Sequence, residues 1–264
     1  MPVTTPTASV PVRWEEDGRG EALVLLHGLG GDIGFWEAET EAFRARFRTI
    51  RIELRGSGGT PASPGGHTMD DLADDVAAVL DDAGVAQAHV LGFSMGGNVA
   101  QAFALRHPQR LGRLVLASTF ATMNAQARRF LDAVCDVYAG GVSAKQMFDL
   151  VCPWLFSIGF SADPRHAVYF AYPEDEEEPP REDWVKLYRA QQAFDAVGAL
   201  PDIAARTLVV AGEEDRLVSL DDAGLLAARI GEARLHVIAG SGHLCNVERP
   251  HEFQSAVQDF LTAP

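Results

Sequence analysis

From Ala22 onward, short apolar runs alternate with amphipathic stretches. The runs at 22–26, 49–54, 89–92, 114–117, 208–211 and 235–238 are apolar at consecutive positions, as strands buried on both faces are. Between them the period changes. Met69, Leu72, Val76, Val79 and Leu80 recur at helical spacing and share one face. Thr68 can cap that helix, Asp70 and Asp71 favour its positive end, and Gly84 suits its stop. A second helix is predicted over 95–106, ending before Pro108, and a last one over 250–261. Strand and helix in alternation predict an α/β fold with a mainly parallel sheet and helices on both faces.

The alternation lapses between Phe120 and Leu200, which predicts a mostly helical insertion at 120–200. Positions 1–119 and 201–264 then form one core domain. The insertion holds 13 of the chain's 22 aromatic residues, Phe130 and Trp154 among them. It also holds the acidic run 174–180, which reads as a solvated loop.

Charge removes several partners from consideration. A formal net charge of −15 repels phosphate backbones and anionic membrane surfaces, so nucleic acid is not an expected partner. No stretch approaches the roughly 18 apolar residues that a membrane span needs. The first twelve residues lack the basic and apolar regions of a signal peptide, so the expected location is the cytoplasm. Cys135, Cys152 and Cys245 are widely spaced and odd in number, which fits neither a disulfide framework nor a structural zinc site.

The chemistry concentrates where runs end. Gly92-Phe93-Ser94-Met95-Gly96 follows an apolar run and opens a helix. A strand turning sharply into a helix strains the serine backbone and leaves its hydroxyl standing at the helix N-terminus. Serine needs a base. Of eight histidines, His89 and His236 lie in strand patterns, His107 ends a helix, and His67 and His166 lie in a loop and in the insertion. His251 is inside the last helix, and His27 belongs to the first glycine-rich loop. His243 remains, in the glycine-rich loop between the last strand and last helix, and is the predicted base. Asp215, after the run 208–211, is the predicted partner of the imidazole, with Glu214 as the fallback. The loop His27-Gly28-Leu29-Gly30-Gly31 can aim backbone N–H groups at a developing oxyanion, together with the N–H of Met95. Trp36, Phe93, Phe130 and Trp154 are the candidate substrate-binding aromatics.

These motifs, with Glu53-Leu54-Arg55-Gly56-Ser57-Gly58, resemble the α/β-hydrolase superfamily over nearly the whole chain. The resemblance implies an eight-stranded, mainly parallel sheet, a helical cap at 120–200, and Leu29 and Met95 as oxyanion donors. Glu53 stands where the family turn usually opens with Asp; Glu53 and Arg55 read as structural. The segment Gly242-His243-Leu244-Cys245-Asn246-Val247-Glu248-Arg249-Pro250 is similar to the end of 3-oxoadipate enol-lactonases. Serine at 94 disfavours epoxide hydrolases and dehalogenases, which carry aspartate there. Leu244 and Cys245 replace the tryptophan usual after the histidine of meta-cleavage hydrolases.

The expected activity is hydrolysis of a carboxylic ester or lactone through an acyl-enzyme on Ser94, without metal or organic cofactor. Rival readings are a thioesterase or carbon–carbon hydrolase with the same triad, a lyase or cyclase, and a small-ligand receptor. The aromatic insertion favours an apolar or aromatic substrate. A carboxylated enol-lactone would instead need a cation in the cavity, for which Arg128, Arg129, Arg165 and Arg189 are the candidates.

Overall fold

In the computed structural model, residues 3–4, 11–172 and 180–264 are described. The acidic run at 174–179 lies outside them. Strands β2 (Val12–Gly18), β3 (Glu21–Leu26), β4 (Phe47–Ile52), β5 (Ala88–Phe93), β6 (Leu111–Ala117), β7 (Thr207–Gly212) and β8 (Ala233–Ile238) form one sheet. Its order is β2-β4-β3-β5-β6-β7-β8, and an eighth strand of two residues, β1 (Val3–Thr4), pairs with β2 at the edge. β1 with β2 and β2 with β4 are antiparallel; every other pair is parallel. The sheet thus has the expected α/β-hydrolase character.

Alternation along the central strands sends side chains to opposite faces. Val24, Leu26, Val90, Leu116 and Val209 pack on one face against α2 (Met69–Asp82), α3 (Met95–Arg106) and α8 (Leu220–Arg229). Leu23, Leu25, Leu91, Val115 and Val210 pack on the other against Phe43 of α1 (Glu37–Phe43) and Phe253 and Val257 of α10 (Pro250–Thr262). Every residue of β7 is buried. β8 departs from the two-sided burial expected of it: Leu235 is 39% and Val237 37% exposed, because β8 is the sheet edge. β2 escapes the apolar-run reading for a related reason. Its polar residues face solvent, while Val12 and Trp14 alternate into the core.

Helix α2 starts and stops as its residues dictate. Thr68 Oγ1 accepts the N–H of Asp71 at 3.2 Å, while the Asp71 carboxylate accepts the Thr68 N–H at 2.8 Å, completing a capping box. Between β6 and β7 the chain forms α4 (Ala125–Ala139), α5 (Ala144–Leu155), α6 (Ile158–Ala162) and α7 (Arg181–Ala193). They have an apolar centre of their own, with Tyr138, Trp184, Val185 and Tyr188 buried together. α9 (Cys245–Glu248) lies just before α10.

β3 has β4 on one side and β5 on the other. The loops leaving β3 and β5 therefore part in opposite directions, and a crevice opens at the C-terminal ends of the two strands. No helix among the described residues is long and apolar enough to cross a membrane.

Candidate active site

Ser94 stands between β5 and α3 with φ 51° and ψ −116°, a left-handed conformation that costs an L-residue on the order of 1–3 kcal/mol. The chain holds it there through close backbone approaches that only glycine allows. A Cβ at Gly92 would meet the carbonyl oxygen of Gly96 at 2.3 Å, and one at Gly96 would meet that of Leu26 at 2.2 Å. Hydrogen bonds fix the turn: the Ser94 N–H donates to the Ala117 carbonyl at 2.9 Å, and Thr119 Oγ1 donates to the Ser94 carbonyl at 2.6 Å.

His243 and Asp215 come from the ends of β8 and β7. Asp215 Oδ2 lies 2.7 Å from His243 Nδ1, and the two side chains are only 1% and 4% exposed. Asp215 Oδ1 accepts the N–H groups of Leu217 and Val218, both at 2.9 Å. A carboxylate so held accepts a hydrogen bond from Nδ1–H and leaves Nε2 free as an acceptor. Glu214 points elsewhere, accepting the N–H of Ile158 at 3.3 Å, and Glu213 accepts that of Gly240 at 2.9 Å. The His243 carbonyl is anchored by Ser118 Oγ at 2.8 Å, itself a residue with φ 45°.

Ser94 and His243 line one cavity of about 380 Å³. Among the described residues no hydrogen bond joins them; such contacts often tighten only when substrate binds. The N–H groups of Leu29 and Met95 likewise make no hydrogen bond among the described residues. Met95 is the first residue of α3, where unpaired N–H groups and the helix dipole favour negative charge. The loop carrying Leu29 is held by His27. Its Nδ1 lies 2.8 Å from the Gly28 carbonyl, and its Nε2 accepts the Leu54 N–H at 3.1 Å. Burial lowers the pKa of His27, consistent with this neutral, Nδ1-protonated form.

The rest of the cavity wall is largely apolar: Phe120, Leu131, Tyr138, Met147, Phe148, Val151, Leu155 and Trp184, with Asp32 and Gln191 as polar members. The four candidate aromatics are not among these residues. Trp36 is fully buried in the core behind Phe93, and the Phe93 ring lies tilted against the His243 ring, centroids 5.0 Å apart. Phe130 and Trp154 pack on each other at 4.8 Å. Of the four arginines, Arg128 donates to the Gln192 carbonyl and Arg165 to Asp163, and Arg129 is exposed. Arg189 lines a separate hollow of about 690 Å³ that contains neither Ser94 nor His243.

Glu53 and Arg55 brace the loop between them. Glu53 accepts from Gly59 N and Thr60 Oγ1, and Arg55 is paired with Asp75 in the core. Burial pushes the thiols of Cys152 and Cys245 up to about 11 and about 12, so neither is a ready nucleophile. No group of side chains among the described residues is arranged to hold a metal ion.

Comparison with known proteins places this geometry. The model of the alpha/beta hydrolase fold family matches residues 21–250. A protein from Caulobacter segnis that carries the name carbamate hydrolase RutD is 31% identical over 94% of this chain and 93% of its own length. The solved enol-lactonase from Burkholderia xenovorans LB400 superposes with a TM-score of 0.89 at 28% identity, covering 99% of this chain and 100% of that one. A thermophilic esterase from Thermogutta terrifontis gives a TM-score of 0.86 at 27% identity, covering 98% and 97%. A serine held at positive φ between strand and helix, a matching family model and relatives aligned end to end lead to one conclusion: the chain belongs to the alpha/beta hydrolase family.

Proposed function

We propose that the protein is a serine hydrolase that cleaves uncharged, largely apolar carboxylic esters or lactones, with Ser94, His243 and Asp215 as its catalytic triad. The observation that carries this reading is the buried 2.7 Å contact of Asp215 with His243 in the wall of the cavity that also exposes Ser94. Ser94 Oγ attacks the carbonyl carbon while its proton passes to His243 Nε2. The oxyanion rests on the N–H groups of Leu29 and Met95, each such donor contributing about 3–4 kcal/mol. The C–O bond then breaks as His243 gives its proton to the leaving oxygen. Water, deprotonated by the same imidazole, releases the acid and restores Ser94.

The insertion serves as the cap that gives the acyl or alcohol group an apolar seat. Preference for uncharged substrates is supported by the cavity wall, which among the described residues holds no lysine or arginine and does hold Asp32. The names carried by the relatives agree on carbonyl carbons bonded to a heteroatom leaving group. They also favour a second reading, a carbamate, whose carbonyl the same groups would attack.

The test is a fluorophosphonate probe followed by a panel of p-nitrophenyl esters, lactones, thioesters and carbamates. Ser94 should be labelled, and Ser94→Ala should stay folded yet lose both labelling and turnover. Near-native turnover in that variant rejects the covalent mechanism.

A further inference from the structure

The loop bearing His243 is joined to the insertion by a buried carboxylate that the mechanism above does not use. Glu248 on α9 is 6% exposed and has no cation partner among the described residues. Three neutral donors satisfy it instead. Its Oε1 accepts the N–H groups of Ser157 at 2.8 Å and Gly242 at 2.9 Å, and its Oε2 accepts the Ser157 hydroxyl at 2.6 Å. Ser157 caps α6 in the insertion, and Gly242 immediately precedes His243.

The backbone on the other side of His243 meets the same corner. Leu244 N–H donates to the Leu155 carbonyl at 2.9 Å. A Cβ at Gly242 would meet Phe156 C and Ser157 N at 2.6 Å, so the two strands of chain touch directly. Helix α5, which ends at Leu155, presents Met147, Val151 and Leu155 to the cavity. A substrate lying against α5 therefore presses on an element clamped to the loop that carries the base.

We propose that Glu248 is a positioning residue: by fastening the 155–157 corner to Gly242, it sets where His243 Nε2 stands relative to Ser94. This rests on the serine-hydrolase reading. What Glu248 supplies is reach, since one amide oxygen can serve the two N–H groups and the Ser157 hydroxyl can turn to accept from the amide NH2. Glu248→Gln keeps the oxygen that receives both N–H groups. Glu248→Asp keeps the charge but withdraws the carboxylate by about 1.5 Å, one C–C bond. Displacements of that size in a supporting group can cost about 10²-fold in rate.

The experiment measures kcat, KM and the fluorophosphonate labelling rate for the wild type, Glu248→Gln and Glu248→Asp, with amide hydrogen exchange at Gly242. Glu248→Gln should retain both rates. Glu248→Asp should lose about 10²-fold in kcat and in labelling, with KM little changed and the Gly242 amide exchanging faster. Full activity in Glu248→Asp, or an equal loss in both variants, overturns the proposal. Should Ser94→Ala still turn over substrate, it is the serine-hydrolase reading that fails. Exchange at Gly242 then decides the clamp alone: faster exchange only in Glu248→Asp supports it, and unchanged protection overturns it.

Discussion

In the proposed triad, Asp215 sets which ring nitrogen of His243 carries the proton. Oδ1 is already committed to Leu217 and Val218, leaving Oδ2 for the imidazole. Asparagine at 215 would keep its oxygen on those two N–H groups and turn its amide toward His243 Nδ1. The ring would then carry its proton on Nε2, where it cannot accept one from Ser94. Asp215→Asn should therefore lower kcat by roughly 10³–10⁴-fold, read with an activated ester. Glu214→Gln should leave kcat nearly unchanged, because Glu214 faces the Ile158 N–H. The reverse ranking would move the acid to Glu214. The choice of Asp215 was open to the sequence reading because the acidic loop follows an apolar run, and in a parallel sheet such loops share an edge. Ser118 and Glu248 carried no comparable signal. Both are hydrogen-bonded to partners far away along the chain, and a serine after a strand looks like any other.

At the scale of elements, β5 and α3 tolerate almost no added volume at their junction. Gly96→Ala would drive a methyl group into the Leu26 carbonyl at 2.2 Å, against backbone that cannot give way. We expect it to destabilise the protein by more than about 3 kcal/mol, or to prevent folding, as judged by urea denaturation. On the opposite face, α1 buries Glu39, 1% exposed, beside Asn246 and Gln254. Burial pushes its carboxyl up from 4.5 to about 7, with Asn246 and Gln254 holding the rise back. The folded state thus binds a proton that the unfolded chain releases near pH 4.5. Stability from this group is full below that pH and is lost as pH rises through about 7, roughly 3 kcal/mol in all. Glu39→Gln should abolish that slope, so its advantage over the wild type should be larger at pH 8 than at pH 5. Equal differences at the two pH values would contradict the assignment.

The whole molecule combines a strongly acidic surface with an apolar cavity. Net charge is −15, and the cavity wall offers an anion no cation among the described residues. Both features act against a carboxylated substrate, the first at long range and the second on contact. For matched lactones with and without a carboxylate, kcat/KM should favour the uncharged member by about tenfold or more at low ionic strength. The part due to surface charge should shrink as salt shortens the Debye length from about 30 Å at 0.01 M to about 8 Å at 0.15 M. A tenfold preference for the carboxylated lactone, lost on mutating one of Arg128, Arg129, Arg165 or Arg189, would reverse this choice.

Local pattern alone marked six of the sheet's strands and the three places where chemistry could sit. Apolar runs mark segments that seek cover on both sides, and the loops after β5, β7 and β8 lie on one edge because these strands run parallel. What surrounds those loops depended on tertiary structure. Aromatic content marked the insertion without saying which rings face the cavity. Phe130 and Trp154 pack against one another, whereas Tyr138, Phe148 and Trp184 line it. Trp36 went to the core because α1 packs against the sheet, a contact its own neighbours in sequence do not reveal. The half-exposed faces of β8 follow from its edge position, and the clamp at Glu248 joins residues 91 positions apart. Periodicity reports which residues seek burial; only the packing of distant elements decides what they are buried against.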